Sequence, residues 1–299
     1  VTIAVTSGAV EQLADLLSRE TGQMLSEGRR WRIDTMLRPL LRDRRFTSLD
    51  ELLCAIEREP DGPLKAATID AILNHESSFF RDVAVFKTLE DVVLPKLAAQ
   101  ASERLIRIWC VGCSTGQEAY SLAMMIKRSP DLEGLRVSIH ATDVSALAIE
   151  KARRGIFAQM DVQRGLPVNE LLRWFEPVGP EWRISDELRE MVTFRTDNIL
   201  HPRSASGLFD LILCRNVLLY FPENHRRDAC AQIARRARPQ AGLVLGAGEM
   251  LAAEAGFVAS RDSSCIYTMR ERREQVAPTN LDASSCSASA QPCIEVDEA

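Results

Sequence analysis

The chain has 299 residues, 46% of them hydrophobic, and a formal net charge of −5 at neutral pH. That length accommodates one large domain or two modest ones, and the acidic balance excludes nucleic-acid binding through the overall field. No apolar run approaches the ~20 residues that span a bilayer, and no basic segment with a signal-type apolar core opens the chain, so a cytoplasmic protein without direct membrane insertion is expected.

Residues 1–75 carry apolar side chains at helical spacing: Val10, Leu13, Leu16 and Leu17, then Ile33, Met36, Leu37, Leu40 and Leu41, then Leu49, Leu52, Leu53 and Ile56. This predicts a small all-α N-terminal domain. Its second helical stretch is locally basic, and on a helical wheel Arg38, Arg42 and Arg45 lie opposite the apolar stripe. Such a face is either a solvated surface or a docking face for an acidic partner. Pro39 is expected to kink this helix or start a new one.

From Arg107 the pattern changes to short apolar runs separated by helical segments: IRIWCV, VSIHAT, MVTF, FDLILC and GLVLGA. Apolar runs without alternation belong to strands buried on both faces, which predicts an α/β domain over 76–274, a mostly parallel sheet with helices on both faces. The span 174–194, with Pro177, Gly179 and Pro180, is expected to hold a short antiparallel β elaboration. Residues 275–299 are rich in Ser and Ala, and disorder is expected there. The eight cysteines are scattered, several within apolar strands, and read as reduced packing residues, the Cys110–Cys113 pair included.

Ligands of open α/β sheets bind outside the carboxyl ends of the strands, so the residues after each strand are the candidates. After the first strand comes Gly112-Cys-Ser-Thr-Gly116, whose glycines let a ligand approach the backbone, followed by Glu118. This loop has neither GxGxxG nor GxxxxGK[ST] and is ambiguous alone. After the second strand comes Asp143, placed either to accept ribose hydroxyls or to cap the next helix; after the third, Asp197 and Asn198; after the fourth, Arg215 and Asn216.

Five stretches, in order, carry a specific resemblance: HESSFFRD at 75–82, WCVGCSTGQEAYSLAM at 109–124, ATDVSALAIEKARRGIF at 141–157, FDLILCRNVLLYF at 209–221 and GLVLGAGEML at 242–251. With these the chain resembles, from about residue 10 to 270, the chemotaxis receptor methyltransferases of the CheR family, which transfer a methyl group from S-adenosylmethionine to receptor glutamates. The resemblance implies a Rossmann-like S-adenosylmethionine methyltransferase domain and a cofactor pocket of His75, Ser77, Arg81, Gly112, Glu118, Asp143, Asn198, Ile199, Arg215 and Asn216. Within it, Asp143 would hold the ribose, Asn198 and Ile199 the adenine, and Arg215 and Asn216 the methionine end. Of the two candidate catalytic residues, Tyr220 would place its hydroxyl near the transferred methyl and Arg81 would order the pocket and pair with the carboxylate of the cofactor or of the substrate, while Phe79 and Phe80 fill core. Three positions depart from the family pattern: His75 for the usual Asn, Ser77 for Thr, and Gln117 for the first Glu of a Gly-Glu-Glu run.

Methyl transfer to a carboxylate with a reference pKa of ~4.3 needs no general base. The four histidines form no catalytic cluster and no metal-ligand spacing occurs, so no metal is expected. The partner implied is the acidic cytoplasmic helical bundle of a chemoreceptor, with Arg38, Arg42 and Arg45 as docking residues. The elaboration at Glu176 to Met191 is short and poor in glycine, so tethering to a receptor tail peptide is not expected; a monomer is. Two other readings remain open at this point: a methyltransferase with a different acceptor, and a non-catalytic module that senses S-adenosylmethionine or its product S-adenosylhomocysteine.

Overall fold

The computed structural model describes residues 6–30, 32–101, 105–203, 207–251, 255–261 and 263–270. The tail expected to be disordered, 275–299, lies outside them. Among the described residues the first five helices are Ser7–Thr21, Glu27–Arg30, Ile33–Arg44, Leu49–Arg58 and Pro63–Ile72. Thr6 and Ser48 start two of them by accepting the N–H groups of Ala9 and Glu51, and Gly22 closes the first at φ +79°. Leu13, Leu17, Ile33, Leu37, Leu41, Leu49, Leu52 and Ile72 form their core, each fully buried. Burying each such side chain contributes about 1.5–3 kcal/mol.

Pro39 does not begin a new helix, because Ile33–Arg44 runs through it. Ile33, Leu37 and Leu41 anchor the opposite side in the core, which offsets the backbone hydrogen bond that proline cannot donate.

Among the described residues ten strands follow: β1 Ile106–Val111, β2 Val137–Asp143, β3 Ile156–Ala158, β4 Phe175–Val178, β5 Glu181–Ile184, β6 Val192–Thr196, β7 Phe209–Cys214, β8 Ala237–Leu245, β9 Phe257–Ala259 and β10 Ile266–Met269. Seven of them form one sheet in the order β6-β2-β1-β7-β8-β10-β9. The first five in that order pair in parallel, and β10 adds antiparallel to β8 and β9. The sequence pattern predicts five of these strands; β9 and β10, three and four residues long, leave too little periodicity to read.

Alternate residues of β1 enter different cores. Ile108 and Cys110 join one cluster and Trp109 and Val111 the other, which is why the run IRIWCV shows no polar face. The antiparallel elaboration also differs from the expected span. Its order is β3-β5-β4, so it starts at Ile156, ahead of residue 174, while Val192 to Phe194 belong to the main sheet. Phe79 fixes this small sheet, packing edge-on against Phe157 and Phe175 at 5.0 and 5.6 Å between ring centroids.

Candidate cofactor cleft and active site

The chain leaves β1 for β2 and β6 on one side of the sheet, then crosses to β7 and β8 on the other. The order therefore reverses between β1 and β7, and the loops after those two strands part there to open a cleft. Its space is about 960 Å³ with the open mouth included.

The β1 loop turns at Gly112 with φ +65° and at Gly116 with φ +94°, and the helix Gln117–Arg128 begins immediately after. A Cβ on Gly112 would lie 2.4 Å from Val217 Cγ2, so only glycine lets the two loops come this close. Ser114 spends its donors inside the protein: its N–H donates to Asp143 Oδ2 at 2.8 Å and its hydroxyl to the His75 carbonyl at 3.0 Å.

Asp143 also accepts the Ser145 N–H on Oδ1 at 2.9 Å. It is not the cap of the following helix, because Ser145 takes that position and accepts the Ala148 N–H. Burial raises the pKa of Asp143 above the usual carboxylate range, and the two N–H groups pull it back. Each carboxylate oxygen accepts one N–H in this way, and such an oxygen can accept a further donor.

Behind the loop lies a buried ion cluster. Arg215 donates to Glu118 at 2.8 Å, to Asp82 at 2.6 Å and to the Arg81 carbonyl at 2.9 Å, and its side chain is 1% exposed. The guanidinium expected at the methionine end is thus mostly engaged by protein groups, and only its Nε has no partner among the described residues. Burial raises the pKa of Glu118 while Arg215 opposes the rise. Burial likewise pushes the thiols of Cys110, Cys113 and Cys214 far up, consistent with packing residues. Phe79 and Phe80 are buried, and Phe80 sits at φ +47° with its N–H held by Ser121 Oγ at 3.0 Å.

The β7 loop is held by a residue that the strand-end reading missed. The carboxylate of Glu249 accepts the N–H groups of Asn216, Val217 and Leu218 at 2.7 to 2.8 Å, of Leu219 at 3.3 Å, and of Gly246 at 2.7 Å. Extending the survey past the last predicted strand, GLVLGA, would have reached it. Tyr220 follows, with its hydroxyl bonded to Asn74.

The helical half roofs the cleft. Asn198 donates to the Glu20 carbonyl at 3.2 Å, the Met24 N–H donates to the Tyr220 carbonyl at 2.8 Å, and His225 donates to the Gly22 carbonyl at 2.8 Å. Lining the cleft are His75, Ser77, Arg81, Gly112, Glu118, Asp143, Asn198, Ile199, Arg215, Asn216 and Tyr220, together with Asn74, Thr21 and Gln23, which sequence reasoning passed over. Gln117 does not line it; this buried amide accepts the Thr115 hydroxyl instead. Arg38, Arg42 and Arg45 are exposed on their own helix and its cap, apart from the cleft. Among the described residues no group of three or more His, Cys, Asp or Glu side chains has metal-holding geometry, and no helix is long and apolar enough to cross a membrane.

A parallel sheet with a glycine turn after its first strand, a carboxylate after its second and a cleft at the switch point defines the nucleoside-binding class of α/β proteins. Comparison with known proteins narrows the class. The family "CheR methyltransferase, SAM binding domain" matches residues 75–264, and the chain belongs to that methyltransferase family. It is 33% identical over 247 residues to the chemotaxis protein methyltransferase Cher2 of Pseudomonas putida, covering 81% of this chain and 90% of that one. It is 34% identical over 240 residues to chemotaxis protein methyltransferase 1 of Pseudomonas aeruginosa, covering 79% and 87%. A chemotaxis protein methyltransferase of Vibrio parahaemolyticus is 33% identical over 254 residues, covering 83% and 91%.

Proposed function

We propose that this protein transfers the methyl group of S-adenosylmethionine to glutamate carboxylates of a chemoreceptor's cytoplasmic helical bundle, releasing S-adenosylhomocysteine. The observation that carries this reading is the convergence on one cleft of His75, Ser77 and Arg81, Gly112, Glu118, Asp143, Asn198 with Ile199, and Arg215, Asn216 and Tyr220. The donor set fits the cofactor. Asp143 has lone pairs for ribose hydroxyls, and Asn198 with Ile199 and Arg215 with Asn216 line the same cleft as candidates for the adenine and methionine ends. His75 and Ser77 contribute from the segment that bridges the two halves.

The cofactor supplies an electrophilic methyl carbon, and the protein's task is to hold an acceptor oxygen in line with it and keep water out. Both the attacking carboxylate and the departing sulfonium lose charge along the reaction, so a strong cationic clamp on the acceptor would resist the step. The Tyr220 hydroxyl orients the carboxylate through one neutral hydrogen bond. Arg81 donates to the Glu76 carbonyl at 3.2 Å, and its remaining donors order the mouth of the cleft. The exposed Arg38, Arg42 and Arg45 face is the docking surface for the acidic bundle, and the enzyme works as a cytoplasmic monomer without a metal.

The test is calorimetric binding of S-adenosylmethionine and S-adenosylhomocysteine to the wild type and to Asp143→Ala, followed by transfer of radiolabelled methyl to receptor cytoplasmic fragments. The expected result is binding that the substitution abolishes and base-labile label on the receptor. Binding without transfer to any receptor fragment would overturn the acceptor, and absence of binding would overturn the reading as a whole.

A further inference from the structure

Tyr220 is held by two side chains of the helical half to which no role has been assigned. Asn74 bonds the phenolic oxygen through Nδ2, and the guanidinium of Arg29 lies over the ring, 5.9 Å from its centroid. Arg29 is itself anchored to the Ile72 carbonyl and does not line the cleft, so it braces the ring from behind. Asn74 does line the cleft. Its orientation is set locally, because Oδ1 accepts the Glu76 N–H at 3.4 Å and leaves Nδ2 aimed at the phenol.

This orientation has a chemical consequence. A phenol has a single proton, and when its oxygen accepts from an amide that proton is left for another partner. An ionised carboxylate accepts only, so a tyrosine that orients it must donate. With the amide reversed, the phenol would donate to Asn74 and turn lone pairs toward the incoming carboxylate.

We propose that Asn74 is a positioning residue for methyl transfer: its amide fixes the polarity of the Tyr220 hydroxyl, so that the hydroxyl hydrogen is offered to the acceptor carboxylate. The proposal rests on the reading of the acceptor as a glutamate carboxylate. It places a determinant of turnover at the junction between the helix Pro63–Ile72 and the cofactor segment that follows, and makes the helical half part of the active site.

The experiment compares Asn74→Ala, Asn74→Asp, Tyr220→Phe and the Asn74→Ala/Tyr220→Phe double variant in methyl transfer to a receptor fragment, with calorimetry of S-adenosylhomocysteine alongside. Asn74 is exposed, so its variants are expected to fold. Loss of one neutral hydrogen bond lowers kcat about three- to tenfold in Asn74→Ala. Asn74→Asp falls further, because a carboxylate there takes the phenolic proton. Cofactor affinity stays within about twofold in both, since neither change removes a donor to the cofactor. In the Tyr220→Phe background Asn74→Ala costs almost nothing more, as expected of two groups that act as a unit.

An Asn74→Asp variant as active as Asn74→Ala, or a full Asn74→Ala loss in the Tyr220→Phe background, would overturn the proposal. A second readout is independent of the acceptor. The chain has three tyrosines, Tyr120, Tyr220 and Tyr267, and with ¹³Cζ-tyrosine labelling the Tyr220 resonance should shift in Asn74→Ala while the other two stay. An unmoved Tyr220 signal sinks the contact and the proposal with it. A moved signal together with failure of the wild type to label any receptor fragment sinks both the acceptor reading and the catalytic role inferred for Asn74.

Discussion

The carboxylate of Glu249 takes the backbone N–H of Asn216 at 2.7 Å and those of the next three residues after it, so one side chain shapes the loop that carries Tyr220 into the cleft. Asn216 stands at φ +58°, a conformation that asparagine tolerates better than most residues. The same carboxylate accepts the Gly246 N–H and ties this loop to the end of β8.

Glu249→Gln therefore replaces an acceptor oxygen with an NH2 group facing backbone donors. The N–H groups of Asn216 and Gly246 lose their acceptor, and a loss of about 2–4 kcal/mol is expected from one part-buried and one buried donor left unmet. Urea denaturation reads it directly, with a parallel loss of S-adenosylhomocysteine affinity in calorimetry. An unchanged midpoint would remove Glu249 from its organising role.

Arg215→Met strips the buried Glu118 of its cation, and breaking such a pair costs about 3–5 kcal/mol. Burial already holds the pKa of Glu118 above the ordinary carboxylate value, and without Arg215 it rises further. A carboxylate with a raised folded-state pKa contributes its stability below the unfolded pKa and loses it as pH rises through the folded value. The deficit of the variant should then be largest where Glu118 is ionised in the folded protein and shrink as pH falls toward the ~4.3 of a free glutamate, where the folded state already holds its proton. Urea titrations of both proteins across that range decide it; a deficit independent of pH would contradict the buried-charge account.

Asp143→Asn exchanges an acceptor-only carboxylate for an amide, and S-adenosylhomocysteine affinity should fall about ten- to a hundredfold, the worth of a hydrogen bond to a charged group. Because burial raises the pKa of Asp143, wild-type affinity should begin to fall on acidification above the ~3.9 of a free aspartate, with the acid limb absent from the variant. Calorimetry as a function of pH checks both statements.

The Arg38→Glu/Arg42→Glu/Arg45→Glu variant should raise the KM for receptor fragments about tenfold, leaving kcat and cofactor binding intact, as expected for charge complementarity at an exposed face. The wild-type KM should climb with ionic strength and that of the variant should not. Steady-state kinetics at two salt concentrations suffices, and equal KM values would leave these arginines as a solvated face. Arg38 and Arg42 already pair with Asp34 and Asp43 at 2.9 and 3.3 Å, exposed contacts that a partner's carboxylates can displace.

What the sequence made legible was periodicity and strand ends. IRIWCV and FDLILC are buried on both faces and read as parallel strands, and the residues just past them line the cleft. What it hid was direction and competition. Arg215 stands at a strand end, but only the fold shows that Glu118 and Asp82 claim its guanidinium. Asp143 had two readings, and the capping one falls because Ser145 occupies that position. Asn74 and Glu249 act on Tyr220 and on its loop across separations of 146 residues and about 30, which no local pattern encodes.

The hydrogen bonds from Asn198, Met24 and His225 across the roof also decide where this chain can be cut. A fragment trimmed to 75–264 would keep the strands from β1 to β9 but leave Asn198 and His225 without the Glu20 and Gly22 carbonyls and the Tyr220 carbonyl without the Met24 N–H. Its cleft would be a trough open to water on one side, with a phenol free to turn. Swapping the helical half between relatives would thus also change the wall of the cleft.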